Sequence, residues 1–298
     1  MLKLNGVYPP LPTSFTENED LDISKVKQNI GILSAFDLAG ILILGSNGEM
    51  VMLNNKEKKQ VYDAARDAIP PGKLMIAGTG AQSTRETRDL SVMAADSGAD
   101  AVLVLNPSYY KGQMNSDALV RFYHDVASGS PVPVIIYNMP SNSGLDMDRD
   151  TILKASEHEN IIGIKDSGGN LVKMASVIKG AKPGFQFLAG SASFLLPALS
   201  IGAIGGILAL ANIAPALCLN IYNSFIEGKL DRAREAQLKA VELNTAVTRQ
   251  WGVPALKAAM DYLGMYGGPV RKPLLPINAE QKKMLIDIID KTHLTPLF

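Results

Sequence analysis

The chain has 298 residues, 47% of them hydrophobic, which is length enough to bury roughly three quarters of the unfolded surface around one core. Its 29 basic residues balance 29 acidic ones, and no run of Lys or Arg could track a phosphate backbone, so nucleic acid is excluded as a partner. No apolar stretch approaches the about 20 residues needed to cross a bilayer, and Met1 to Gly6 carry neither a secretory signal nor an Arg-rich presequence. A cytoplasmic protein is the expectation.

Short apolar runs rich in β-branched residues recur along the chain, each closed by Gly, Asn, Pro or Ser. They run over Gly6 to Pro10, Gly40 to Gly45, Leu74 to Gly80, Ala101 to Pro107, Val132 to Pro140, Ile161 to Ser167, Phe185 to Ser191 and Gly205 to Asn212. The segments between them predict helices over Ser24 to Ala35, Lys56 to Ala68, Ser83 to Ser97, Asp117 to Ala127, Asp148 to Ser156, Leu171 to Lys179 and Ser193 to Ile201. Apolar strands alternating with helices imply a parallel sheet covered by helices. Eight such units fit an α/β chain closed as a (β/α)8 barrel better than an open doubly wound sheet. Ile213 to Glu227 reads as the eighth barrel helix. Further helices are expected over Leu230 to Arg249, Pro254 to Leu263 and Ala279 to Ile289, with a turn-rich linker at Tyr266 to Pro273. Residues 1–225 then form the barrel, and 226–298 a helical extension packed on it.

In such a barrel the active site lies at the carboxyl ends of the strands. Strand two ends in Gly45-Ser46-Asn47-Gly48-Glu49, strand four in Asn106-Pro107-Ser108-Tyr109-Tyr110, strand five in Tyr137-Asn138-Met139-Pro140-Ser141-Asn142, and strand six in Lys165-Asp166-Ser167. A lysine with its stem in the core and its amine at the mouth is desolvated, which lowers an ammonium pKa and frees the nucleophile for Schiff-base formation. The iminium so formed is an electron sink for the neighbouring carbon. Tyr137, Tyr109 and Ser46 could relay protons to it, and the amides of the Ser46-Asn47-Gly48 turn could bind a carboxylate. Each has a plainer reading: Lys165 as a solvated charge beside Asp166, the tyrosines as rim packing, the glycine-bearing segment as a turn alone. His124, His158 and His293 are scattered and have no companion cysteine, so no metal site is expected. Cys218, the sole cysteine, precludes an intramolecular disulfide and reads as a buried hydrophobe.

The motifs Gly45-Ser46-Asn47-Gly48-Glu49, Tyr137-Asn138-x-Pro140-Ser141, Ile164-Lys165-Asp166-Ser167, Gly190-Ser191 and Gly205-Gly206 to Asn212 resemble the dihydrodipicolinate synthase and N-acetylneuraminate lyase superfamily. The resemblance runs from Gly6 to about Leu274. It implies a (β/α)8 barrel with a C-terminal helical extension, a homotetramer or dimer, and a Schiff base between a lysine and pyruvate or another 2-oxo acid, with no metal or organic cofactor. On it, Lys165 matches the Schiff-base lysine, Tyr137 the proton shuttle and Ser46 the relay hydroxyl. Tyr109 matches the tyrosine that completes the relay near a neighbouring subunit's site. Ser46 and Asn47 match the turn binding the pyruvate carboxylate, and Ile207 the residue whose carbonyl faces the lysine. Asn142 stands where the synthases carry an arginine that holds aspartate semialdehyde, and an amide supplies neither its charge nor its fork. Asn142, Ser167 and Ser191 remain candidates for the distal part of the substrate. The turn at Ser46, the segment Pro107 to Tyr110, Lys165 to Gly169, Ala246-Val247-Thr248-Arg249 and Tyr266-Gly267-Gly268-Pro269-x-Arg271 are most similar to 4-hydroxy-2-oxoglutarate aldolases. A dihydrodipicolinate synthase, or a silent barrel that binds a 2-oxo acid without turnover, are the alternatives.

Overall fold

A computed structural model describes residues 1–294; the last four residues of the expected extension lie outside them. Eight parallel strands form a barrel: β1 (Gly6–Tyr8), β2 (Gly40–Ile43), β3 (Leu74–Gly78), β4 (Ala101–Leu105), β5 (Val134–Asn138), β6 (Ile161–Asp166), β7 (Gln186–Ala189) and β8 (Gly205–Ile207). Neighbours pair in chain order, and β8 pairs with β1. The last seam, between β1 and β2, is held just past β1. There Leu42 N donates to Pro9 O at 3.0 Å, and Leu11 N donates to Leu42 O at 2.9 Å. A parallel bridge takes its bonds from the residues on either side of the bridged one, so Pro10 fits there without an N–H.

Between the strands run α1 (Ile23–Ser34), α2 (Asn55–Ala68), α3 (Thr84–Asp96), α4 (Ser116–Gly129), the short α5 (Pro140–Ser143), α6 (Arg149–Ser156), α7 (Leu171–Gly180), α8 (Leu195–Ser200) and α9 (Pro215–Ile226). Most begin at a side-chain cap that the local sequence supplies: Asp22, Asn54, Ser83, Asn115, Asp148 and Asn170 each accept an amide of the first turn. Each such cap is worth about 1 kcal/mol. Two apolar layers result. One fills the barrel with Leu4, Tyr8, Leu42, Ile76, Leu103, Ile135, Tyr137, Ile162, Leu188 and Ile207, and the other lies between sheet and helices. This is the double burial that the continuous apolar strands imply.

The extension comprises α10 (Leu230–Thr245), α11 (Gly252–Tyr262) and α12 (Ala279–Thr292). α10 lies along α9 and over the turn at Ala192–Phe194. The helix expected to Arg249 changes pitch, because Ala246–Gln250 is a π-helical turn. All eight strands are shorter than the apolar runs expected for them, β5 and β8 by the most. Pro140 starts α5 at the end of the fifth, where its fixed φ suits the first helical position. Beyond β8, Ala209–Asn212 forms a 3-10 turn, with Asn212 Nδ2 donating to Pro10 O at 2.9 Å and to Ala209 O at 3.1 Å. Among the described residues no helix is long and apolar enough to cross a membrane. Cys218 is buried, and burial pushes its thiol well above the ordinary range.

Candidate active site

Strand pairing builds the centre of the site. Leu105 pairs with Tyr137, Tyr137 with Lys165 and Lys165 with Leu188, so these four residues share one level near the carboxyl ends of β4 to β7. Side chains alternate along a strand. Tyr137 and Lys165 turn into the barrel and are 3% and 4% exposed. The Lys165 amine lies 4.1 Å from the centre of the Tyr137 ring. The Tyr137 hydroxyl is 3.4 Å from Ser46 Oγ. Burial pushes the Tyr137 phenol up, but the charge of Lys165 and hydrogen bonding to Ser46, Lys165 and Ser167 outweigh it and hold the phenol below its ordinary value.

The same alternation turns Asp166 away from Lys165. Its carboxylate is buried outside the barrel, 3.2 Å from Lys173 Nζ, and accepts from Asn138 Nδ2 at 3.1 Å and from Gly168 N at 2.6 Å. Lys173 also pairs with Asp146, which Asn138 Nδ2 reaches at 2.8 Å. Lys165 enters no ion pair among the described residues. Its reading as a solvated charge beside Asp166 is therefore overturned: strand alternation sends the two side chains to opposite faces.

Ser46 and Asn47 lie in a 3-10 turn, Ser46–Gly48, whose first internal bonds are Gly48 N to Gly45 O at 2.9 Å and Glu49 N to Ser46 O at 3.1 Å. The amides of Ser46 and Asn47 precede those bonds and are free of the turn's own carbonyls, as the leading donors of any helical turn are. Ser167 follows Lys165 and donates from Oγ to Gly190 O at 3.4 Å. Gly190 leaves no room for a side chain, since a Cβ there would lie 2.7 Å from the Asp166 carbonyl oxygen and 2.8 Å from the Ser167 Cα. Ser191 accepts from Asn244 Nδ2 at 2.9 Å, which ties α10 to the end of β7. Ile207 is fully buried with Tyr137 and Leu188 inside the barrel.

Two candidates stand apart. Asn142 is exposed on α5, and among the described residues its side chain takes only a 3.4 Å contact from Ser141 Oγ. Tyr109 is 79% exposed, edge-on to Tyr110 at 5.1 Å, and its hydroxyl makes no hydrogen bond among the described residues. Within one chain it does not reach Ser46 or Tyr137. Among the described residues no three His, Cys, Asp or Glu side chains gather as a metal cluster.

The sequence model of the dihydrodipicolinate synthetase family matches residues 3–292. The chain belongs to this family of lyases. One relative, a probable mitochondrial 4-hydroxy-2-oxoglutarate aldolase of Emericella nidulans, is 38% identical over 285 residues, covering 94% of this chain and 92% of its own. A 4-hydroxy-tetrahydrodipicolinate synthase of Methanothrix thermoacetophila is 32% identical over 289 residues and 96% of both chains. Among solved structures, dihydrodipicolinate synthase from Aquifex aeolicus superposes with a TM-score of 0.93 at 30% identity over 98% of this chain and 99% of its own. The family member YagE of Escherichia coli K12, solved with pyruvate, gives 0.92 at 29% identity over 99% and 100%.

Tyr110, read with Tyr109 at the end of strand four, is 70% exposed beside it, so the fold of one chain offers both rings equally. One feature of this family member escapes a reading by strand ends. Lys257 is buried beneath the Ser46 turn; the signal for it was a lone charge inside the apolar run Ala255-Leu256-Lys257-Ala258-Ala259.

Proposed function

We propose that the protein is a Schiff-base aldolase that cleaves 4-hydroxy-2-oxoglutarate to pyruvate and glyoxylate. The observation that carries this reading is the buried amine of Lys165, in no ion pair among the described residues and 4.1 Å from the Tyr137 ring, with the phenol itself near Ser46. The Lys165 amine attacks the C2 carbonyl, and loss of water leaves an iminium. Tyr137, in relay with Ser46, moves the protons, and its lowered pKa suits a group that takes and returns them. Removal of the C4 hydroxyl proton lets the C3–C4 bond break, its electrons passing into the iminium as glyoxylate leaves. The enamine takes a proton at C3, and water hydrolyses the resulting iminium to free pyruvate and Lys165. Lysine supplies the electron sink, so the steps call for no metal or organic cofactor. The amides of Ser46 and Asn47 receive the C1 carboxylate, Ser167, Asn142 and the carbonyl of Ile207 complete the substrate contacts, and Tyr109 reaches the relay from a neighbouring copy in a cytoplasmic homotetramer.

The second reading is condensation of pyruvate with aspartate semialdehyde, favoured by the relatives named as synthases. Against it stands Asn142, exposed and uncharged where the resemblance calls for arginine. Pyruvate with borohydride should add a stable mass at Lys165. No adduct would sink every Schiff-base reading and leave the barrel that binds a 2-oxo acid without turnover. Cleavage and condensation assayed side by side separate the two substrates, the higher kcat/KM deciding.

A further inference from the structure

The Gly45–Gly48 turn is flanked by backbone that needs an external hold. Leu44 and Glu49, immediately before and after it, have φ of 55° and 54°. That left-handed conformation crowds a Cβ against the following carbonyl and is uncommon outside Gly, Asn and Asp. Next to the turn, Gly78 makes room for it, since a Cβ there would overlap the Leu44 carbonyl. Glu19, with φ 67°, is a third left-handed residue, and it belongs to the same assembly.

What holds the turn comes from the extension. The Glu49 carboxylate lies 2.6 Å from Lys257 Nζ, both side chains only 1% exposed, and its second oxygen accepts from Arg271 N at 2.9 Å. Lys257 Nζ also donates to Pro269 O at 2.7 Å and lies 4.6 Å from the Phe15 ring centre. The Arg271 guanidinium is 4.3 Å from the same ring; it donates to Glu57 at 2.7 and 3.0 Å, to Met52 O at 3.0 Å and to Glu19 O at 2.5 Å. From the barrel side, Thr13 Oγ1 donates to Gly48 O at 2.6 Å. Every partner of Lys257 and Arg271 outside the extension is on the loops that follow β1 and β2 or at the start of α2.

A fully buried ion pair contributes little net stability compared with apolar side chains of the same volume, because desolvating two charges offsets their attraction. Its charges do fix geometry. We propose that Lys257, acting through Glu49, is a positioning residue for the active-site turn: it holds the Ser46 and Asn47 amides and the Ser46 hydroxyl where a bound 2-oxo acid meets them. The extension thus completes the site from behind. The inference rests on the reading of this turn as the receiver of the substrate carboxylate. The Ser46–Tyr137 contact is already long at 3.4 Å, so a shift of about 1 Å in the turn disconnects the relay, the scale of misplacement that costs an active site about a hundredfold.

The test compares Glu49→Gln and Lys257→Met with the wild type. Three readouts are taken: the pyruvate concentration that half-saturates borohydride labelling of Lys165, thermal melting, and hydrogen exchange at the amides of residues 45–50. Both variants should still label at saturating pyruvate, with half-saturation raised at least tenfold, and exchange at 45–50 should quicken while β5 and β6 stay protected. Half-saturation and exchange within twofold of the wild type, whatever the melting temperature does, would overturn the proposal and leave the pair a structural joint. Glu49→Gln keeps the shape and an acceptor for Arg271 N, so it decides alone if Lys257→Met does not fold. If the wild type itself takes no pyruvate adduct, the functional reading falls, and exchange at 45–50 in Glu49→Gln still decides whether Lys257 holds the turn.

Discussion

Two lysines are buried near the mouth of this barrel, and they are put to opposite uses. Lys257 is 1% exposed with a carboxylate at 2.6 Å and a phenyl ring beneath its amine. Lys165 is 4% exposed with a ring beneath its amine and, among the described residues, no paired carboxylate, its neighbours being the phenol of Tyr137 and the hydroxyl of Ser46. Burial alone does not make a lysine a nucleophile. A carboxylate partner pins the proton and fixes the geometry of Lys257, even though burial draws that amine below its ordinary pKa. A titratable phenol leaves the Lys165 amine open to a carbonyl and gives the departing protons somewhere to go.

The sharpest way to break this contrast is to remove each amine in turn. Lys165→Met should lower turnover by more than about 10^4-fold, as loss of a covalent nucleophile does, and abolish borohydride labelling, while the melting temperature holds or rises because an unpaired buried amine is gone. Lys257→Met should do the reverse for stability. It leaves Glu49 charged and unpaired in the interior, and chemical denaturation should record a loss of about 3–5 kcal/mol, with partial recovery in the Glu49→Gln/Lys257→Met double variant.

A smaller effect is expected from the phenol. Tyr137→Phe should lower kcat by about 10^2–10^3-fold. Because the phenol is held below the ordinary tyrosine value of about 10, the wild-type pH profile should turn on its alkaline side below that pH, and the inflection should vanish in Tyr137→Phe. The smallest effect concerns the outer ring of the joint. The Arg271 hydrogen bond at Glu57 holds that carboxyl below its usual range, against the opposing effect of partial burial. A carboxyl whose folded pKa is depressed contributes stability above its unfolded pKa of about 4.3 and loses it as pH falls through the folded value. Glu57→Gln should therefore flatten the acid side of the stability curve, by about 1 kcal/mol or less for a pair this close to the surface. An unchanged acid limb would mean that Arg271 does its holding through Met52 and Glu19 alone.

Much of this was legible in one dimension. The eight apolar runs, their Gly, Asn, Pro or Ser ends and the helical segments between them specify parallel β/α units, because period, length and punctuation are local properties. Lys165, Tyr137 and Ser46 were readable as strand-end residues, and the barrel brings all three together. The exact ends of β5 and β8 were not: a proline can open a helix as well as close a strand, and at β5 the choice falls to the packing around Pro140, while past β8 the apolar run turns into the 3-10 segment Ala209–Asn212.

The sequence by itself determined which residues could carry the chemistry: an amine, a phenol and a hydroxyl at the ends of three strands. Only the tertiary structure decided which way each one faces. Whether Lys165 or Asp166 enters the barrel depends on the register of β6 against β5 and β7, and a slip of one residue would exchange them. That Glu49 meets Lys257 and Arg271, more than two hundred residues away in the chain, was invisible for a different reason. The partner that gives a buried charge its role is set by how α11 and the segment after it close over the loops of β1 and β2, and no local pattern encodes that contact.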